Sequence, residues 1–136
     1  MKNINEIIRK ATETINSSKA RSAWARGVRD YALDLVETLN QYDEIDLADL
    51  TSRELVERYL LDGASSWTQY SEGGCALIYN RDIARRLCTA SELKLTRNGQ
   101  RDPNARETWI DVQARALSQA ARLAENAIIA AAQAAE

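Results

Sequence analysis

The chain contains no histidine and no phenylalanine, and it has one proline and two cysteines among its 136 residues. The lack of histidine removes the usual base that activates a cysteine or serine nucleophile, and also a common ligand of zinc. With one proline and five glycines, few residues interrupt a helix, so the composition favours long helices. Without phenylalanine, the interior has to be built from leucine, isoleucine, valine, alanine and the three tryptophans.

Long apolar runs are also missing. No segment approaches the roughly 18 apolar residues of a membrane span, and residues 1–18 contain no apolar run of signal-peptide length. Cys75 and Cys88 are too few for a disulfide framework, and their spacing is not that of a zinc site. We therefore expect a cytoplasmic protein with reduced, mostly buried thiols and with no metal or other cofactor.

Most of the chain has apolar residues at helical spacing, which predicts amphipathic helices. Ile4, Ile7, Ile8, Ala11 and Ile15 form one such stripe. Further helices are expected from Ser22 to about Asn40, from a capping box at residues 51–54 to Gly63, over Arg81–Cys88, over a short segment that ends near Asn98, and from Asn104 to the C-terminus.

The stretch Gly63–Cys88 differs from the rest, because it contains three of the five glycines and both cysteines. Its apolar run Cys75–Tyr79 is either an extended segment or the start of the next helix, and no convincing second strand accompanies it. The sequence predicts an all-α fold: a compact bundle of five or six helices in a single domain, residues 1–136. A long C-terminal helix packs on Ser22–Asn40, and an irregular Gly-rich central segment lies over one end.

The last helix is longer than a domain of this size needs. Its Ala-rich tail, Ala127–Glu136, is therefore expected either to fray or to pack on another molecule. The second alternative predicts a homo-oligomer formed through the C-terminal helix.

Charge is unevenly distributed, although the net charge is only −2. Residues 30–62 contain ten carboxylates and two arginines, a net charge of −8, whereas residues 81–106 contain seven cations and three carboxylates, a net charge of +4. Either the molecule has an acidic and a basic side, or the two sides neutralise each other internally. The acidic segment Asp34–Asp49 is either a solubilising face or an imitation of a nucleic-acid backbone.

The basic cluster between Arg81 and Arg106 allows three interpretations. It is a solvated, ion-paired face, a protein-binding surface, or a site for nucleic acid or a nucleotide. Both binding interpretations rest on arginine, which donates bidentately to carboxylates and phosphates. Nucleic acid is also suggested by Trp67, Tyr70 and Tyr79, which can stack on bases. Catalysis by Cys75, or by Glu72 with Asp82, is the weaker hypothesis in a chain without histidine. No catalytic residue is assigned, and we expect a protein that is not an enzyme.

Several short motifs between positions 67 and 117 form a recognisable pattern. They are Trp67, Tyr70-Ser71, Gly73-Gly74, Leu77-Ile78-Tyr79, Asp82-Ile83-Ala84, Arg86-Leu87-Cys88-Thr89, Ser91-Glu92-Leu93-Lys94, Thr96-Arg97-Asn98-Gly99 and Trp109-Ile110-Asp111-Val112-Gln113-Ala114-Arg115-Ala116-Leu117. This run resembles a family of small proteins encoded in bacterial mobile elements and prophages, to which no activity is assigned. The resemblance implies a binding protein that inhibits a host defence nuclease such as a CRISPR effector.

These observations lead to a hypothesis of a non-enzymatic protein-binding module, with nucleic-acid or nucleotide binding as the alternative. The partner-binding surface is predicted to consist of Trp67, Tyr70, Glu72, Arg85, Arg86, Arg97 and Arg101. Charge reversal at Arg85 and Arg86 is expected to abolish partner binding without lowering the melting temperature.

Overall fold

The fold is known from a computed structural model that describes residues 4–42, 45–70, 76–78, 81–91 and 109–135, with side chains for residues 4–42, 45–60, 82–91 and 111–135. Within these ranges the chain forms five α-helices, and the predicted all-α bundle is confirmed. They are α1 (Ile4–Ser17), α2 (Ala23–Glu37), α3 (Arg53–Trp67), α4 (Arg81–Ala90) and α5 (Trp109–Ala135). Two short 3₁₀ helices, Thr38–Gln41 and Leu47–Thr51, connect α2 to α3.

The first two helices follow the sequence pattern closely. The apolar stripe of α1 is buried at Ile7, Ile8, Ala11 and Ile15. Ser22 begins α2 as predicted, because its hydroxyl accepts a hydrogen bond from the Ala25 backbone N–H at 3.0 Å and satisfies a donor that the helix leaves free.

Helix α5 is the central element of the bundle and contacts the other four α-helices, the second 3₁₀ helix and a short strand. Its 27 residues span about 40 Å at 1.5 Å per residue. Many of its buried positions are alanines, such as Ala116, Ala120 and Ala124. Because a methyl side chain keeps neighbouring backbones close, α1, α2 and α3 can all pack around one helix.

The expectation that the Ala-rich tail lacks a partner within the chain is wrong. Ala127, Ile128, Ala131 and Ala132 are all buried in the single core of the bundle, and α1 packs along α5. The exposed tail was the basis for predicting a homo-oligomer through this helix. Its burial removes that basis, and the oligomeric state itself stays a prediction.

The two ends of α3 differ from the expected ones. The Thr51 hydroxyl donates to the Ala48 carbonyl oxygen at 2.7 Å and so belongs to the 3₁₀ helix, while the Ser52 hydroxyl accepts from the Leu55 N–H at 3.4 Å at the start of α3. At the other end, α3 continues through Gly63 to Trp67. Glycine favours a helix end but does not require one, and here the helix passes it.

The central stretch contains a feature that the sequence did not predict. Residues Thr68–Tyr70 (β1) pair antiparallel with Ala76–Ile78 (β2), with Gln69 opposite Leu77. The apolar run after Cys75 is therefore an extended segment with a partner. Strand β2 contacts α5 and α4, while residues 71–75 and 79–80 lie outside the described ranges.

Candidate functional site

Helix α4 carries the described part of the predicted basic surface. Its inner face buries Ile83, Ala84 and Leu87, as expected from their spacing. Arg85 and Arg86 are exposed on the outer face. The sequence therefore placed both arginines correctly relative to the core.

A close approach between α2 and α4 fixes the position of these arginines. Gly27 is buried in the middle of α2, and a Cβ atom added there would lie 2.7 Å from Leu87 Cδ2. Any larger residue at this position would require either Leu87 or α4 to move. Glycine at position 27 therefore allows the short distance between the two helices that brings their arginines together.

Arg86 forms ion pairs with two helices, so we now expect its reversal to lower stability, in contrast to the prediction from the sequence. Its Nη1 donates to Asp30 Oδ2 on α2 at 2.9 Å, and its Nε lies 3.3 Å from Asp82 Oδ2 on α4. The guanidinium thus joins a basic helix to the acidic stretch that begins at Asp30. At Arg86, the ion-paired interpretation of the basic cluster is the right one.

Arg85 lies beside a groove between α2 and α4, which we call the basic groove. Its volume is about 480 Å³, and it is lined by Ala23, Arg26, Asp82, Arg85, Arg86, Thr89 and Ala90. Neither Arg26 nor Arg85 forms an ion pair with any side chain in the described ranges. Two exposed guanidiniums from different helices therefore face one concave surface. The sequence did not single out Arg26, because it lies in α2, far from the cluster in the chain.

The remaining predicted surface residues are only partly located. Trp67 is the last residue of α3 and Tyr70 is the last residue of β1. Their side chains, together with Glu72, Arg97 and Arg101, lie outside what the structure describes. That these residues form one surface with Arg85 stays a prediction.

The start of α2 also contacts α5 through a hydrogen bond and a cation–π interaction. The Trp24 indole Nε1 donates to Gln119 Oε1 at 2.7 Å, and the Arg115 guanidinium lies 4.2 Å from the centre of the Trp24 ring. Trp24 follows Ala23 of the basic groove directly. This contact gives the α2 side of the groove a fixed position against the central helix.

The candidate catalytic residues are not assembled into a site by the described residues. Cys88 is a buried free thiol, as expected, and burial raises its pKa to about 11. A protonated, enclosed thiol is a poor nucleophile. Asp82 lies beside Arg86, while Cys75 and Glu72 are outside the described ranges. Among the residues described, no group of three or more cysteine, aspartate and glutamate side chains could hold a metal ion.

Several carboxylates of the acidic stretch have local structural roles. Asp46 accepts from the Ala48 N–H at 3.2 Å and caps the second 3₁₀ helix. Asp49 Oδ2 accepts from the Tyr59 hydroxyl at 3.4 Å, and Asp30 binds Arg86. These contacts explain part of the acidic stretch without any external partner. Asp43 and Glu44 lie outside the described residues.

A second groove lies between α3 and α5, and we call it the α3–α5 groove. Its volume is about 620 Å³, and it is lined by Arg53, Glu57, Leu117, Ser118, Gln119, Ala121, Arg122 and Glu125. Glu125 is buried, with 9% of its side chain exposed, and its Oε1 accepts from Arg53 Nη1 at 3.2 Å. Burial is the main cause that raises the pKa of Glu125, and the nearby Glu57 carboxylate adds to it.

The α3–α5 groove was not predicted from the sequence. One signal was present: Glu125 directly follows Ala124 and precedes Ala127 and Ile128 on the buried face of α5. A carboxylate within such an apolar stripe indicates either a buried ion pair or a site. The partner, Arg53, is 72 residues away in the chain, so only the fold brings the two together.

Comparison with protein-family models, with curated proteins and with solved structures gives no match for this chain. Among the helices described, none is long and apolar enough to cross a membrane.

Proposed function

We propose that this chain is a non-enzymatic protein-binding module that uses the basic groove to hold acidic side chains of its partner. The observation that supports this is the pair Arg26 and Arg85, which are exposed on two helices, face the same groove and form no ion pair with the other described side chains. A carboxylate entering the groove would gain charge-assisted hydrogen bonds from either guanidinium. Arg86, already paired with Asp30, holds the groove together.

The specific form of this function rests on the resemblance to proteins encoded in mobile elements and prophages. We propose that the partner is a protein of a host defence nuclease, such as a CRISPR effector, and that the site of action is the cytoplasm. Trp67, Tyr70, Glu72, Arg97 and Arg101 are proposed to extend the contact surface beyond Arg85.

The test is affinity capture from a bacterial lysate, with one arm treated with nuclease, followed by mass spectrometry. The bait is the wild-type chain or the variant Arg85→Glu, with Arg9→Glu as the matched control. Arg9 is exposed on α1 and lines neither groove. The proposal expects one protein in both arms that Arg85→Glu loses and Arg9→Glu retains. Equal capture by all three baits would refute the role of the basic groove.

Nucleic-acid or nucleotide binding is the second candidate. The same juxtaposition of Arg26 and Arg85 favours it, because two guanidiniums facing one groove also suit phosphate. Its signature is a Kd that rises steeply with salt, and capture only in the arm without nuclease. If binding to an oligonucleotide is weak and Arg85→Glu does not change its salt dependence, this alternative fails.

A further inference from the structure

We infer that the α3–α5 groove is a binding site for a small zwitterionic ligand, a molecule with one ammonium group and one carboxylate group. Glu125 and Glu57 would hold the ammonium group, and Arg122 would hold the carboxylate. This inference uses other residues than the basic groove and does not depend on the proposed function.

The ammonium end follows from the incomplete pairing of Glu125. A buried carboxylate requires compensation by charge and hydrogen bonds. Arg53 supplies part of this, but its side chain is 54% exposed and its Nη2 donates to Asn126 Oδ1 at 2.9 Å. Water therefore screens this guanidinium, and the exposed Arg122 guanidinium is a second positive charge near Glu125. Burial still raises the pKa of Glu125, and the Glu57 carboxylate adds to this shift.

Glu57 adds a second negative charge to the same wall. It lies one helical turn after Arg53 on α3, lines the groove, and forms no ion pair with any side chain that the structure describes. Two carboxylates thus face the groove, and one arginine is shared between Glu125 and Asn126. An ammonium group placed between them would relieve both the burial of Glu125 and its repulsion by Glu57.

The carboxylate end follows from α5. Arg122 is exposed and lines the groove without an ion pair to the residues described, and Ser118 lies one turn before it. Leu117 and Ala121 also line the groove and supply apolar surface for the methylene chain of a ligand. The volume of about 620 Å³ lies within the range of about 300–1,000 Å³ that small-molecule sites occupy.

A purely structural role for these side chains explains less of the geometry. An ion pair and a hydrogen bond that join α3 to α5 need only Arg53, Glu125 and Asn126. Such an ion pair uses Arg122 only as a nearby charge that lowers the pKa of Glu125. It gives no reason for Glu57, which is not ion-paired within the described part of the chain, to line the same groove. A zwitterionic ligand accounts for both Glu57 and Arg122, because it offers one charge of the opposite sign to each.

The experiment titrates the full chain with ω-amino acids from 3-aminopropanoic acid to 8-aminooctanoic acid. Hexanoate and hexylamine are the singly charged controls. Binding is followed by amide chemical shifts of a ¹⁵N-labelled sample and by the melting temperature. We expect one chain length to shift resonances of α3 and α5 and to raise the melting temperature, while both controls bind at least tenfold more weakly.

The variants Glu125→Gln and Arg122→Gln are each expected to weaken binding of that compound at least tenfold, and Arg9→Gln is expected to leave it unchanged. Circular dichroism checks that each variant is folded, and Arg122→Gln tests the inference on its own if Glu125→Gln is not. The inference is overturned if no member of the series binds, if hexylamine binds equally well, or if Arg122→Gln binds like wild type.

Discussion

Replacement of Gly27 by alanine tests the packing that creates the basic groove. In an ordinary mid-helix position, glycine to alanine stabilises a protein by about 1 kcal/mol, because alanine is the better helix former. Here the added Cβ would lie 2.7 Å from Leu87 Cδ2 and 3.1 Å from Leu87 Cγ. Carbon atoms prefer a separation of about 3.5–4.0 Å, so either Leu87 or α4 has to move.

Leu87 cannot turn into solvent, because it is fully buried. Overpacking of this kind costs about 1–3 kcal/mol. Taking about 2 kcal/mol of strain against about 1 kcal/mol of helix propensity, we expect Gly27→Ala to lower the free energy of unfolding by about 1 kcal/mol. For a chain of this length, the melting temperature should fall by about 4 °C.

A double-mutant cycle with Leu87→Ala separates the two effects. Leu87→Ala alone should destabilise the protein by about 2–5 kcal/mol through the cavity it leaves. In that background the methyl group added at position 27 has room, so Gly27→Ala should become stabilising by up to about 1 kcal/mol, a coupling of about 2 kcal/mol. Urea unfolding followed by circular dichroism measures all four chains of the cycle. If Gly27→Ala stabilises the wild-type chain, the close approach of α2 and α4 is refuted.

The charged and titratable groups give three further predictions. Arg86→Glu should lower the free energy of unfolding by about 1 kcal/mol, because it removes two partly exposed ion pairs. In the same urea titration, Arg85→Glu should change the free energy of unfolding by less than about 0.5 kcal/mol. Equal losses in the two variants would contradict the distinction between an ion-paired Arg86 and an Arg85 that has no ion pair among the described residues. In a Cys75→Ser chain, a thiol reagent at pH 8 should label Cys88 only on unfolding, because the thiol is buried and its pKa is raised to about 11. Rapid labelling of the folded chain would show that the thiol is accessible and would contradict its burial. The pKa of Glu125 is raised in the folded state, so the contribution of Glu125 to stability should increase as the pH falls through that pKa towards the ordinary value of 4.5. The unfolding free energy of wild type relative to Glu125→Gln should therefore increase as the pH falls. A difference that does not depend on pH would refute the raised pKa.

Apolar periodicity was sufficient for the helices that bury one face. In α1 and α4 the predicted inward residues, such as Ile7 and Leu87, are the buried ones, because helical spacing fixes which side chains share a face. Apolar periodicity predicted the ends of the helices less well. Both Thr51 and Ser52 can cap, and Gly63 permits a helix end without requiring it, so the neighbouring structure made the choice.

The candidate sites depended on distances that no local pattern encodes. Arg85 was identified because it lies in a visible cluster of arginines, but its neighbour Arg26 belongs to a helix much earlier in the chain. Arg86 looked identical to Arg85 in the sequence, and only the contact with Asp30 at 2.9 Å distinguishes the two. The strand after Cys75 was uncertain for the same reason, because a strand is defined by its partner.

The sequence by itself determined the helical class, the inner and outer faces of α1 and α4, and the burial of the Cys88 thiol. Each of these follows from spacing and composition within one segment. Tertiary structure decided the role of the Ala-rich tail, the ion pairs of Arg86 and the two grooves. Alanine contributes little apolar surface, so its importance in α5 arises only when neighbouring helices approach closely. A charge acquires its role from the groups within a few ångströms of it, and for Arg86 and Glu125 the fold brings those groups from distant parts of the chain.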